Sequence, residues 1–149
     1  MEKLIFLDVD GVFNTDNTKE RTSQGFVGIE PCKVALLADI IKQTDAKVVV
    51  SSTWRLDKEF YDELKAHLWA FDIVPYGETP NLGRERRGEI ANWLIDSGYT
   101  PESCRIVVID DMSSAELGTY WTNAKFIQTD NETGLTTSHV VDAIMWLNG

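Results

Sequence analysis

Asp8 and Asp10 stand one residue apart, directly behind the apolar run Leu4-Ile5-Phe6-Leu7. A second acidic pair, Asp110-Asp111, closes another run, Arg105-Ile106-Val107-Val108-Ile109. Each run is short and rich in branched aliphatics, the pattern of a parallel strand buried on both faces. Ligands of open α/β sheets bind outside the carboxyl ends of the strands. If these two strands lie side by side, all four carboxylates converge at one edge of the sheet. Such a group repels itself and raises its own pKa values unless a cation holds it. Hard oxygen donors favour Mg²⁺. Within the first pair the two acids can divide the work, one attacking and the other carrying a proton. Gly11 behind them lets the backbone turn sharply. Most acidic turns are merely solvated, but charge placed directly against four aliphatics is a costly position for an idle group.

Two further segments supply complementary chemistry. Ser51-Ser52-Thr53-Trp54-Arg55 follows the run Lys47-Val48-Val49-Val50. Hydroxyls and unpaired backbone N–H groups at a strand-to-helix junction suit a phosphate oxygen, and Arg55 is placed to add a forked pair of bonds. A simple N-cap serine is the plainer alternative. In Gly83-Arg84-Glu85-Arg86-Arg87-Gly88, arginines stand at a helix start, where the macrodipole favours acids. Placement against the dipole suggests a bound anion. Arg87 is the first choice because it opens the amphipathic helix, with Arg84 and Arg86 as alternatives.

These residues need a scaffold. The pattern predicts strands at Leu4–Asp8, Lys47–Val50, Ile73–Val74, Arg105–Ile109 and Lys125–Gln128. Helices are predicted from Pro31, with an apolar face of Val34, Leu37, Ala38 and Ile41, and over Leu56–Trp69, Arg86–Ser97 and Thr136–Leu147. Strands alternating with helices imply right-handed crossovers and a parallel sheet covered on both faces. The chain has 149 residues with 43% hydrophobic content, which suits one domain, 1–149, with one real core. No apolar run is long enough to span a bilayer, and no signal-peptide pattern precedes the first strand. Cys32 and Cys104 have no metal-type spacing and are expected to be reduced, buried thiols in a cytoplasmic protein. The two histidines, His67 and His139, fall in predicted helices, which argues against histidine-based nucleophilic catalysis and zinc chemistry. A net charge of −10 argues against a tight non-specific grip on nucleic acid, though not against a nucleic-acid end as substrate.

Acid pair, hydroxyl, basic residue and acid pair follow successive strands in that order, over nearly the whole chain. This resembles the haloacid dehalogenase (HAD) superfamily of phosphotransferases, whose four motifs correspond to Asp8-Val9-Asp10-Gly11, Ser51, Arg87 and Asp110-Asp111. Arginine stands where lysine is commoner in the third motif, and Ser51 and Ser52 are hard to separate. The segments around these motifs are similar to the HAD domains of RNA-repair proteins and to the phosphatase half of polynucleotide kinase/phosphatases. The resemblance implies an α/β, three-layer Rossmann-like fold with a mostly parallel five-stranded sheet and no large cap domain. It implies Asp8 as nucleophile and Asp10 as acid/base. It places Mg²⁺ on Asp8, the Asp10 backbone carbonyl and Asp110 or Asp111. Ser51 (or Ser52) and Arg87 would hold the phosphoryl oxygens, with Arg55 orienting the substrate. An uncapped site admits a polymer end, so the expected substrate is an RNA or DNA 3′-terminal phosphate. The loop from Val12 to Ile29 is the expected source of stacking and phosphate contacts, through Phe13, Phe26, Lys19 and Arg21. The alternatives are a capless phosphatase of a small phosphorylated metabolite and a non-catalytic phospho-switch or binding domain. A receiver-type switch has its motifs in the reverse order and needs no second acid such as Asp10.

Overall fold

The computed structural model describes residues 1–149. Its elements are β1 (Glu2–Leu7), α1 (Pro31–Thr44), β2 (Lys47–Val50), α2 (Lys58–Trp69), β3 (Gly77–Glu78), α3 (Arg86–Asp96), β4 (Cys104–Asp110), β5 (Ala124–Gln128) and α4 (Thr137–Asn148). Short 3-10 turns lie at Thr53–Leu56 and Ser113–Ala115. All strand pairs are parallel, in the order β3-β2-β1-β4-β5. The chain winds outward from β1 to β3, then returns to lay β4 on the other side of β1. The switch point therefore falls between β1 and β4, where this architecture places its ligands. Leu7 pairs with Ile109, so the two acidic segments leave the sheet together, as expected.

Strand alternation sorts the core into two layers. Ile5, Leu7, Val48, Val50, Val107 and Ile109 face α1, α2 and α4, packing with Leu37, Leu64 and Ala143. Leu4, Phe6, Val49, Ile106 and Val108 face α3, packing with Ile90 and Leu94. The helix layers thus carry unequal loads, and the second face has room beside the start of α3. Continuing the even-numbered parity of β1 and β4 and the odd parity of β2 puts Asp8, Ser51 and Asp110 on that α3 side. The ladder persists far enough to hold this phase: Asp8 N–H donates to Ile109 O at 3.0 Å and Ser51 N–H to Leu7 O at 2.8 Å.

The third strand is not at Ile73–Val74. Asp72 takes a left-handed conformation, φ 61°, and drops Ile73 into the core while Val74 stays exposed. The chain reaches the edge of β2 only at Tyr76, whose N–H donates to Val48 O. Gly77 then pairs with Val49 beneath the Trp93 ring, where a Cβ would come within 3.2 Å of the indole. Ile73 there serves burial rather than pairing. Two other expectations also fail on burial. Cys32 is exposed in the first turn of α1, and only Cys104 is buried. Phe13 is wholly buried in the core, so it cannot stack on a ligand. The Arg21 guanidinium folds back onto Thr18 O and Glu20 O, and Phe26 rests on Phe60 with centroids 5.4 Å apart. No helix is long and apolar enough to cross a membrane.

Candidate active site

Three carboxylates, Asp8, Asp110 and Asp111, each offer an oxygen within 4.8 Å of the others. Asp8 and Asp110 are buried, and Asp111 is partly so. One cation faces them. Arg86 Nη1 lies 3.1 Å from Asp8 Oδ1 and 2.8 Å from Asp110 Oδ2. The remaining Asp110 oxygen accepts the Met112 N–H at 2.9 Å. Burial, then the charge of Asp110, pushes the Asp8 carboxyl well above the usual range, although Arg86 pulls the other way. Burial also raises Asp111. The Arg86 guanidinium is itself raised, since the charges of Asp8 and Asp110 outweigh its desolvation. One guanidinium against three acids leaves the cluster short of positive charge. An all-oxygen donor set in that condition fits a divalent metal ion.

The arginine that the structure sets against the acids is therefore Arg86 and not Arg87. Arg87 pairs with Glu85 at 3.3 Å in a solvent-exposed position. The reason is the helical stripe. Ile90 and Leu94 are the buried apolar residues of α3, with Trp93 packed beside them, and counting back four from Ile90 and seven from Trp93 reaches Arg86. Arg87 shares its stripe with Ile95, which is exposed. The stripe of Ile90 and Trp93 is legible in the sequence and leads back to Arg86.

The two serines also separate. Ser52 Oγ accepts the Trp54 N–H at 3.1 Å and caps the 3-10 turn. Ser51 Oγ is buried with no hydrogen-bond partner. A buried hydroxyl left unpaired is costly unless a ligand completes it. The Arg55 guanidinium is engaged within the protein. It donates to Thr79 O (2.7 Å), Ser52 O (2.8 Å), Pro80 O (3.1 Å) and Glu89 Oε1 (3.2 Å). It ties the loop behind β3 to α3, and Glu89 completes the tie by accepting the Leu82 N–H at 2.9 Å. The forked bonds expected of it are used inside the protein.

The Asp10 side chain stands apart from the other acids and is exposed. It accepts hydrogen bonds from Trp54 Nε1 and Asn14 Nδ2, two contacts the sequence did not announce. Gly11, at φ 77°, has no substitute here. A Cβ would stand 2.6 Å from Asp111 Oδ2, so only glycine lets this turn pass the acid cluster.

The same arrangement of strands and acids defines an HAD-type site, and the comparisons agree. Residues 4–140 match the family described as the HAD domain in Swiss Army Knife RNA repair proteins, and the chain belongs to that family. No curated protein matches the sequence. The cobalt-bound deoxy-D-mannose-octulosonate 8-phosphate phosphatase of Haemophilus influenzae has a similar fold. It superposes with a TM-score of 0.50 at 19% identity, over 99% of this chain and 88% of that one. A Legionella pneumophila structure assigned to the HAD superfamily (subfamily III A) hydrolases gives a TM-score of 0.49 at 14% identity, over 99% and 84%. The domain is a hydrolase of the HAD phosphatase class, built on the expected five-stranded parallel sheet and without a cap domain.

Proposed function

We propose that the domain is a Mg²⁺-dependent phosphomonoesterase that forms an aspartyl-phosphate on Asp8 and acts on nucleic-acid 3′-terminal phosphates. The observation that carries the chemistry is the buried Asp8 carboxylate, level with the unpartnered Ser51 hydroxyl and held by Arg86. Asp8 is the nucleophile. Ser51 Oγ donates to a phosphoryl oxygen, which relieves its own lack of a partner. Arg86 Nε and Nη2 make no hydrogen bond within the chain, so the guanidinium keeps two donors for the phosphoryl group while Nη1 holds Asp8 and Asp110. Asp10 gives a proton to the leaving oxygen and then activates water. Asp8, Asp110 or Asp111 and the Asp10 carbonyl would hold the metal. When bound, it shields the attacking carboxylate from the phosphate charge and stabilises the transferring group.

The nucleic-acid reading is supported by the occurrence of this family in RNA repair proteins and by an open cleft beside Arg86. The cleft has a volume of about 450 Å³, and Leu56, Arg84, Met112 and Ser114 are among its lining residues. Leu56 and Met112 are half exposed and offer apolar surface to a base or ribose. Arg84 has no carboxylate within ion-pair distance, which leaves a cation for the neighbouring phosphodiester. This cleft takes over the role that the loop from Val12 to Ile29 was expected to play. A second reading, a small phosphorylated metabolite as substrate, is favoured by the net charge of −10. The H. influenzae protein of similar fold is itself named for a small phosphorylated substrate.

The experiment is kcat/KM on a 3′-phosphorylated oligonucleotide, the matching 3′-mononucleotide and a sugar-acid phosphate, each with Mg²⁺ and with chelator. The oligonucleotide should be preferred by about tenfold or more, the worth of one stacked base or one phosphate contact. Activity should vanish in chelator and return with Mg²⁺. Equal or better turnover of the small substrates selects the metabolite reading. Full activity in chelator contradicts the metal assignment.

A further inference from the structure

We propose that Trp54 is a positioning residue: its indole N–H, with the Asn14 amide, aims the Asp10 carboxylate so that Oδ2 is the oxygen that exchanges a proton with the leaving group. The proposal rests on Asp10 acting as the acid/base.

Asp10 is exposed, and an exposed aspartate ordinarily samples several rotamers. Here it is held from two sides. Trp54 Nε1 donates to Oδ1 at 3.3 Å and to Oδ2 at 3.2 Å. Asn14 Nδ2 donates to Oδ1 at 3.0 Å. Oδ1 therefore takes the Asn14 amide and a share of the Trp54 N–H, while Oδ2 takes only the other share and keeps a lone pair for a proton. Neither donor is loose. Asn14 is buried, its Oδ1 accepts the Gly11 N–H at 2.9 Å, and its Nδ2 also donates to Gly28 O at 2.9 Å. Trp54 is 4% exposed, and Asp10 is its only hydrogen-bond acceptor for Nε1. The Phe60 ring seats the indole edge-on at 4.8 Å, and Ser52 fixes its backbone. An indole N–H donates and never accepts, so Trp54 cannot turn its bond to Asp10 around.

The step that this geometry serves is the first one. An Asp8 oxygen forms a bond to phosphorus as the ester P–O bond breaks. The electron pair of that bond goes to the leaving oxygen, which takes the proton from Asp10 Oδ2. An alkyl leaving group, such as a ribose hydroxyl, needs that proton. A p-nitrophenolate leaves without it.

The test compares p-nitrophenyl phosphate with an alkyl phosphate ester in wild type, Trp54→Phe and Asp10→Asn. Phenylalanine keeps the ring on Phe60 and removes the N–H. In Trp54→Phe, which leaves Asp10 in place but less well aimed, the aryl-to-alkyl ratio of kcat/KM should rise by about tenfold, a part of the roughly 10²- to 10⁴-fold that a positioned acid contributes. An unchanged ratio in Trp54→Phe, with a raised ratio in Asp10→Asn, overturns the role of Trp54 and leaves Asp10 as acid/base. An unchanged ratio in Asp10→Asn removes Asp10 from that role, and the Trp54 proposal falls with it. Should Trp54→Phe fail to fold, the Trp54 indole resonance decides. Asp10→Asn should shift it and speed its hydrogen exchange, and an unmoved resonance overturns the proposal.

Discussion

Asp8→Asn should stop phosphate release, by about three orders of magnitude or more, and leave the protein at least as stable as before. The two halves of this result have one cause. Burial and the charge of Asp110 raise the Asp8 carboxyl, so its ionised form opposes folding in the absence of metal. Such a group weakens the native state as pH rises from the unfolded pKa towards the folded one, and the full penalty stands above it. An amide of the same shape carries no charge and removes that repulsion. Arg86 keeps Asp110 as its partner at 2.8 Å, so the substitution does not strand the guanidinium. The checks are phosphate release with Mg²⁺ and thermal unfolding in chelator at neutral pH. A fall in Tm of several degrees would mean that Asp8 is a structural acid. Normal turnover would put the nucleophile elsewhere.

The second large effect separates two adjacent arginines. Arg86→Met should lower kcat/KM by about 10²- to 10³-fold, as loss of a preorganised charge at the reacting group does. Arg87→Met should change it by no more than about twofold, because the Arg87–Glu85 pair is solvent-exposed. Stability should divide the same way. Without Arg86, Asp8 and Asp110 lose their shared counter-charge, a loss of about 3–5 kcal/mol in chelator. Mg²⁺ should return part of it, because an ion that binds only the folded state stabilises it by mass action. Urea unfolding of both variants, with and without Mg²⁺, measures this. Equal losses at the two positions would contradict the assignment of Arg86.

The acids were legible because their position follows from strand pattern alone. Two buried runs that end in carboxylates must deliver those carboxylates to the ligand edge once the strands are neighbours. The parity of Val49 and Ser51 and the stripe of Arg86, Ile90 and Trp93 were equally local signals. A place at the start of the helix does not fix which side a residue occupies, and Arg87 lies on the exposed side. The place of Arg55 was not local. Its partners Thr79 and Pro80 lie in a loop more than twenty residues away, and its own charge suggested substrate when it serves backbone carbonyls. The Trp54–Asp10 bond joins residues 44 apart and depends on how a 3-10 turn meets the loop behind β1. Ile73 and Phe13 show the opposite error, in which residue type suggested pairing or stacking and burial decided otherwise.

The most direct measurement is to trap the phosphoryl group. Asp10→Asn still admits a leaving group that needs no proton, but it lacks the base for the second step. It should therefore accumulate the covalent enzyme when mixed with p-nitrophenyl phosphate and Mg²⁺. Acid quenching followed by peptide mass mapping should find the mass of one phosphoryl group on Asp8 and on no other residue. The adduct should be absent in chelator. A phosphoryl group on Ser51, Asp110 or Asp111, or steady turnover with no adduct under these conditions, would contradict the account.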